Sequence, residues 1–174
     1  MKFPDFLVEQ LGHQGPVLVC GDKAGQMAKI LGDKGLMVYW LVNPKEEIQL
    51  ELEKIHPRLK ILKSSILALP FTEHLQAVIL AHYLDRIQRF FWHALPEILW
   101  RALRPDGIVA MTETRSRLKE EYLKEMDRLM RESRFIRDFI AGPGFDFPQL
   151  FELIGGIWRK PPPLMEDVKA DIAP

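Results

Sequence analysis

GPVLVCGDKAGQMAKILGDKGLMVYWLVNP, residues Gly15–Pro44, has the pattern of a strand, a helix and a second strand in succession. Val17 to Cys20 form a short unbroken apolar run between turn residues, the pattern of a strand buried on both faces. From Asp22 the period changes. Met27, Ile30 and Leu31 stand at i, i+3 and i+4, Asp22 is placed to cap the helix start, and Gly32 and Gly35 are placed to close it. Leu36 to Val42 is a second buried strand, ended by Asn43-Pro44, where Asn suits an N-cap, Pro the first helical position and Glu46 the third.

Outward from this unit the alternation continues. Ile48, Leu52 and Ile55 make an apolar helix face up to His56-Pro57, and a third strand is expected at Leu59–Lys63. After the loop SSILALPF comes a continuous apolar fourth strand, Gln76–Ala81, which belongs in the sheet centre. Two helical stretches are expected at Asp85–Ala94 and Pro96–Leu103, followed by the turn Arg104-Pro105-Asp106-Gly107 and a fifth strand, Ile108–Thr112. Ser116–Ser133 is a charged amphipathic helix with Leu118, Tyr122, Leu129 and Met130 on its inward face. Phe135–Ile140, a Gly-Pro-Gly turn, a short helix at Phe147–Ile154 and a strand from Gly156 complete the pattern. Residues 1–160 are expected to form a single domain, and 161–174 a proline-rich tail, mobile or partner-bound. The expected class is α/β, a doubly wound sheet with helices on both faces, whose ligands bind at the carboxyl ends of the strands.

Composition excludes several function classes. Lys and Arg number 24 and so do Asp and Glu, so the zero formal charge speaks against a strongly basic nucleic-acid binder. The longest apolar run, Leu36–Val42, is far short of the roughly 20 residues that cross a bilayer. The N-terminal MKFPDFLVEQ carries a proline and two acids where a signal peptide has its apolar stretch, so a cytoplasmic location is expected. Cys20 is the only cysteine, which rules out an intramolecular disulfide, and the five histidines show no metal-ligand spacing. No metal site is expected.

Four segments together resemble the class I S-adenosylmethionine-dependent methyltransferases, in particular the small-molecule, quinone-biosynthesis-like branch. They are VLVCGDKAG (17–25), VYWLVNPKEEI (38–48), SSILALPFTEHLQAVILAHYLDRI (64–87) and LWRALRPDGIVAMTE (99–113). The resemblance implies a Rossmann-like seven-stranded mixed sheet of order 3-2-1-4-5-7-6 with the last strand antiparallel. It places Gly21, Asp22, Gly25, Asn43, Ser65 and Ile66 around the cofactor S-adenosylmethionine, and His82 and Tyr83 toward the acceptor. Methyl transfer is an in-line displacement at a sulfonium methyl carbon, so alignment and exclusion of water are the enzyme's main tasks. A base is needed only if the nucleophile carries a proton, and His82 is the residue suited to that role. Family members also carry a helical segment ahead of the glycine loop, whereas 16 residues precede Val17, so the usual lid is expected to be missing.

The chain departs from the family at three polar anchors. Lys23 stands at the middle glycine of the loop, Val42 and Asn43 where the ribose-binding acid belongs, and Ser65 where an Asp meets the adenine. Each missing charge-assisted hydrogen bond forfeits roughly 1.5–3 kcal/mol. Two functions therefore stand side by side: a methyltransferase acting on a small or medium organic acceptor, and a methyltransferase-like protein without cofactor binding that serves as an interaction subunit or takes another ligand.

The individual residues likewise have two readings each. Gly21 and Gly25 serve a strand-to-helix turn as readily as a ligand, Asp22 and Asn43 are caps, and His82 and Tyr83 are partly buried packing residues. Lys23 near a helix start opposes the macrodipole and so points to solvent or to an anion. In RFFWHALPEILW, Phe90, Phe91 and Trp92 point in three directions, which leaves one or two for a protein partner, a second copy of the chain or a hydrophobic ligand. The alternating charges of Arg115–Arg137 read as a solvated helix face.

Overall fold

The computed structural model of the chain describes residues 8–11, 15–21, 24–45, 56–141 and 153–163. The expectations for Asp22 and Lys23, for a helix over 46–55, for a helix over most of 147–154 and for the tail beyond residue 163 lie outside them. Seven strands form one sheet: β1 Val17–Gly21, β2 Val38–Val42, β3 Leu59–Lys63, β4 Leu75–Ala81, β5 Leu103–Thr114, β6 Ile136–Ala141 and β7 Leu153–Arg159. Their order is β3-β2-β1-β4-β5-β7-β6. The first five are mutually parallel, and β7 runs antiparallel to both β5 and β6. The expected fold class and strand order are thus observed. Among the described residues the longer α-helices are α1 Ala24–Asp33, α2 Leu95–Ala102 and α3 Arg117–Glu132, and residues 8–11 are also helical.

Alternation along each strand divides the core between the two faces of the sheet. Leu18, Cys20, Val78, Leu80, Val109, Met111 and Trp158 pack with Leu95 and Leu99 of α2 and Leu123, Met126 and Met130 of α3. Val17, Val19, Ala77, Ile79, Ile108 and Ala110 face the other way, against Ala28 and Leu31 of α1 and the helical residues Val8 and Leu11. Buried on both sides, β1 and β4 read as apolar runs, broken in β4 by the buried Gln76, whose Oε1 accepts from the Arg104 guanidinium.

α3 begins at Ser116, whose hydroxyl accepts the Lys119 N–H at 3.2 Å. Its inward face is Leu123, Met126, Asp127 and Met130, and the expected inward Leu118 is 51% exposed because it falls outside that i, i+3, i+4, i+7 stripe. The buried Asp127 carboxylate accepts the Trp158 indole N–H at 2.9 Å and lies 3.2 Å from the guanidinium groups of both Arg131 and Arg137. Helix and β7 are joined there by a satisfied polar contact inside an apolar layer.

Three further expectations change. Leu153 and Ile154, expected at the end of a helix, instead open β7, where they pair with Thr114 and Glu113 of β5. Asp85–Ala94 is not one helix but two 3-10 segments, Leu84–Arg86 and Arg89–Ala94, because Ile87 and Gln88 between them are extended. The Trp92 indole donates to the Ile87 carbonyl at 3.1 Å across that break. The turn at Arg104–Gly107 lies within β5 as a bulge: register passes from Leu75↔Leu103 to Ala77↔Ile108, and Asp106 takes φ 62°. At this amino-terminal edge the buried Lys160 ammonium donates to Glu73 at 3.0 Å and to the carbonyls of Trp100 and Leu103 at 3.1 and 2.8 Å, fixing the chain where Pro161 leaves the sheet.

Candidate functional site

The chain reverses direction across the sheet between β1 and β4, and the loops at the carboxyl ends of the strands open there. Gly21, Ala81 and Thr112 are the last aligned residues of β1, β4 and β5. Gly21 has φ 109°, and a Cβ on it would stand 1.8 Å from the Ala81 carbonyl oxygen, so the close approach of β4 by itself demands glycine. A Cβ on Gly25 would meet the Trp40 ring at 2.9 Å. Both glycines thus have a packing role.

A cleft of about 250 Å³ opens at this edge, lined among others by Asn43, Ser65, Ile66, Tyr83, Arg86, Ile87 and Phe91. It brings together the loops after β2, β3 and β4. Asn43 accepts the Lys45 N–H on Oδ1 at 3.0 Å, closing the turn after β2. Ser65 caps the 3-10 segment Ile66–Ala68 by accepting the Leu67 N–H on Oγ at 3.2 Å, which leaves its own hydrogen to donate. Ile66 is buried against the core and gives the cleft an apolar wall, continued by Ile87. No acid occurs among its described lining residues, and Arg86 is the charged one.

Of the residues expected around a cofactor and acceptor, Asn43, Ser65, Ile66 and Tyr83 therefore share one cleft. Gly21, Gly25 and His82 are not part of its described lining, and Asp22 lies outside the described residues. His82 and Tyr83 are adjacent in sequence but diverge. His82 sits in the left-handed region at φ 49°, its backbone N–H bonded to the Thr112 carbonyl at 2.8 Å, and its ring turns to the end of β5. There Nδ1 accepts the Thr114 N–H at 3.2 Å and lies 3.8 Å from Glu113 Oε2.

Glu113 is the centre of a second polar cluster. It is 2% exposed, accepts the Leu84 N–H at 3.3 Å, and lies 3.2 Å from the Lys119 ammonium. Lys119 also pairs with Asp85 and lies over the Tyr122 ring. Burial of Lys119 disfavours its charge, but the hydrogen bond to Asp85 and the Glu113 carboxylate outweigh it and hold the ammonium above lysine's ordinary pKa. Sequence reasoning missed Glu113 and Lys119. Two signals were present: Glu113 follows Val109 and Met111 at period two on a buried face, and Lys119 stands in the first turn of α3, where a cation opposes the macrodipole unless an anion meets it.

Near the cleft Phe90 is 76% and Phe91 37% exposed, while Trp92 is buried. Cys20 lies in the core, where burial pushes its thiol pKa far up. Among the described residues no group of three or more His, Cys, Asp or Glu could hold a metal ion, and no helix is long and apolar enough to cross a membrane.

Solved structures share this architecture over nearly the whole chain. The 1,6-didemethyltoxoflavin-N1-methyltransferase of Burkholderia thailandensis, crystallised with 1,6-didemethyltoxoflavin and S-adenosylhomocysteine, superposes with a TM-score of 0.70 at 16% identity, over 91% of this chain and 76% of its own. The fold is that of the S-adenosylmethionine-dependent methyltransferases. One of these from Methanosarcina mazei gives a TM-score of 0.69 at 13% identity over 91% of this chain and 98% of its own. The cyclase SpnF gives 0.70 at 14% identity over 92% and 80%. A scan against family models finds no match, and neither does a search of curated protein sequences.

Proposed function

We propose that the chain is an S-adenosylmethionine-dependent methyltransferase acting on a small or medium organic acceptor, of the small-molecule branch that segments 64–87 and 99–113 resemble. The observation that carries this reading is the cleft at the carboxyl edge, where three separate loops bring Asn43, Ser65, Ile66 and Tyr83 together. Its 250 Å³ fall just below the roughly 300–1,000 Å³ of ligand pockets, which suits the adenosyl part of the cofactor.

The residues present fit that part. Ile66 and Ile87 offer apolar surface to a purine, the Ser65 hydroxyl a donor to a ring nitrogen, and the Asn43 amide a neutral partner for ribose hydroxyls. The cofactor supplies a methyl group activated by a sulfonium. The chain's own contribution is to hold the nucleoside, to present an apolar wall at Phe91 and to align the acceptor beside His82. With Asn43 where a carboxylate would serve better, cofactor affinity is expected to be weak.

Calorimetric titration of the folded chain with S-adenosylmethionine and S-adenosylhomocysteine tests the reading. Saturable one-site binding is expected. No heat at millimolar ligand would refute it.

A further inference from the structure

We propose that His82 is held as its Nε2–H tautomer, a hydrogen-bond donor rather than a base, by the Thr114 backbone N–H, and that Lys119 is the positioning residue that keeps the Glu113 carboxylate from reversing it. In a neutral imidazole one nitrogen carries the proton and the other accepts. Nδ1 accepts the Thr114 backbone N–H at 3.2 Å, with the Thr114 hydroxyl 3.4 Å away, so the proton belongs on Nε2.

One group competes for that arrangement. Glu113 Oε2 lies 3.8 Å from Nδ1, beyond hydrogen-bond reach, and a carboxylate drawn closer would pull the proton onto Nδ1. Lys119 prevents this by taking the same oxygen at 3.2 Å. The remaining carboxylate oxygen accepts the Leu84 N–H, so Glu113 is satisfied without the imidazole. Asp85, 60% exposed, holds Lys119 from the other side. The start of the side chain is fixed by the left-handed backbone of His82 and its N–H to Thr112.

The consequence for chemistry rests on the methyltransferase reading. A ring whose basic nitrogen is turned inward to β5 does not remove a proton from the nucleophile. The acceptor it suits is one whose attacking atom carries no proton that must leave, such as a phenolate, a carboxylate or a tertiary amine, with an oxygen or nitrogen placed to receive the Nε2–H.

Long-range proton–nitrogen NMR of the full nitrogen-15-labelled chain at alkaline pH reads the tautomer directly, with His82→Asn assigning the signal. It needs no ligand, so its failure is separate from failure of the cofactor reading. The Nε2–H pattern is expected for His82, and an Nδ1–H pattern would overturn the proposal. Lys119→Gln should transfer the proton to Nδ1, and adding Glu113→Gln should return it to Nε2. A Lys119→Gln protein that keeps Nε2–H would overturn the role given to Lys119. Lys119→Arg and the isosteric Glu113→Gln alone should both keep the Nε2–H pattern. Loss of it in either, readable even if Lys119→Gln does not fold, would also count against the proposal.

Discussion

Removing the Lys119 ammonium while keeping its length, as in Lys119→Met, should destabilise the protein by about 3 kcal/mol. Glu113 is 2% exposed and Lys119 15%, so little water reaches the carboxylate once its partner is gone. Breaking a buried pair from one side costs about 3–5 kcal/mol. The lower end applies because Leu84 still donates to Glu113. Asp85 is 60% exposed and is left in water at little cost. For a chain of this size about 3 kcal/mol lowers the melting temperature by about 6–12 °C and shifts a urea midpoint by on the order of 1.5 M. Glu113→Gln added to Lys119→Met should recover most of that loss, since no buried charge is then left alone. The pH window follows from the sign of the shift. Lys119 is held above lysine's ordinary pKa of about 10.4, so its contribution is complete below that value and is lost as pH rises through the raised one. The difference between wild type and Lys119→Met should therefore stay constant across neutral pH and shrink in strong alkali. Urea titrations of the two single variants and the double variant measure this cycle. A loss below about 0.5 kcal/mol, or strict additivity of the two changes, would refute the reasoning.

Three further outcomes are expected. Asn43→Asp keeps the Oδ1 that closes its turn and adds the carboxylate that ribose hydroxyls favour, so calorimetry should show S-adenosylhomocysteine binding tightened about tenfold, with an unchanged Kd counting against Asn43 as a ribose contact. Gly21→Ala should cost about 4 kcal/mol or more by thermal unfolding, because its Cβ would lie 1.8 Å from the Ala81 oxygen at a φ of 109°, and a near-wild-type melting temperature would contradict that packing. Cys20 should resist a thiol reagent in the native protein and react on unfolding, since it is buried and its pKa is raised; rapid labelling of folded protein would argue against β1 as a core strand.

Much of the sheet was legible because its central strands are short apolar runs whose neighbours are glycine, proline and asparagine. β3 matches its expected span, and β1, β2 and β4 differ only at their ends. The strand order, by contrast, came from the resemblance, since parallel pairing leaves no local mark on a sequence. The segment 85–94 was misread because its apolar spacing suits a helix, whereas the chain is extended at Ile87 and the Trp92 indole bonds back to the Ile87 carbonyl across that break. Leu118 was placed inward by the same reasoning, one position off the stripe that α3 buries.

At the site, Asn43, Ser65, Ile66 and Tyr83 were named by analogy, and three loops far apart in sequence do meet in one cleft. What stayed illegible was the charge chemistry behind His82. Glu113 and Lys119 are six residues apart, but their meaning depends on Asp85 and His82, brought from the far end of β4 by the parallel pairing of β4 with β5. The two glycines show the converse. Their spacing is that of a cofactor loop, yet a carbonyl of β4 and the ring of Trp40 account for them.

The central claim is that the cleft between the loops after β2, β3 and β4 holds the adenosyl group. Backbone amide shifts of the full chain, recorded through a titration with S-adenosylhomocysteine, test it most directly. Saturable shifts are expected at Asn43, Ser65, Ile66, Leu67 and Tyr83, with the amino-terminal edge around Glu73 and Lys160 unmoved. Shifts confined to that opposite edge, or none at saturating ligand, would contradict it.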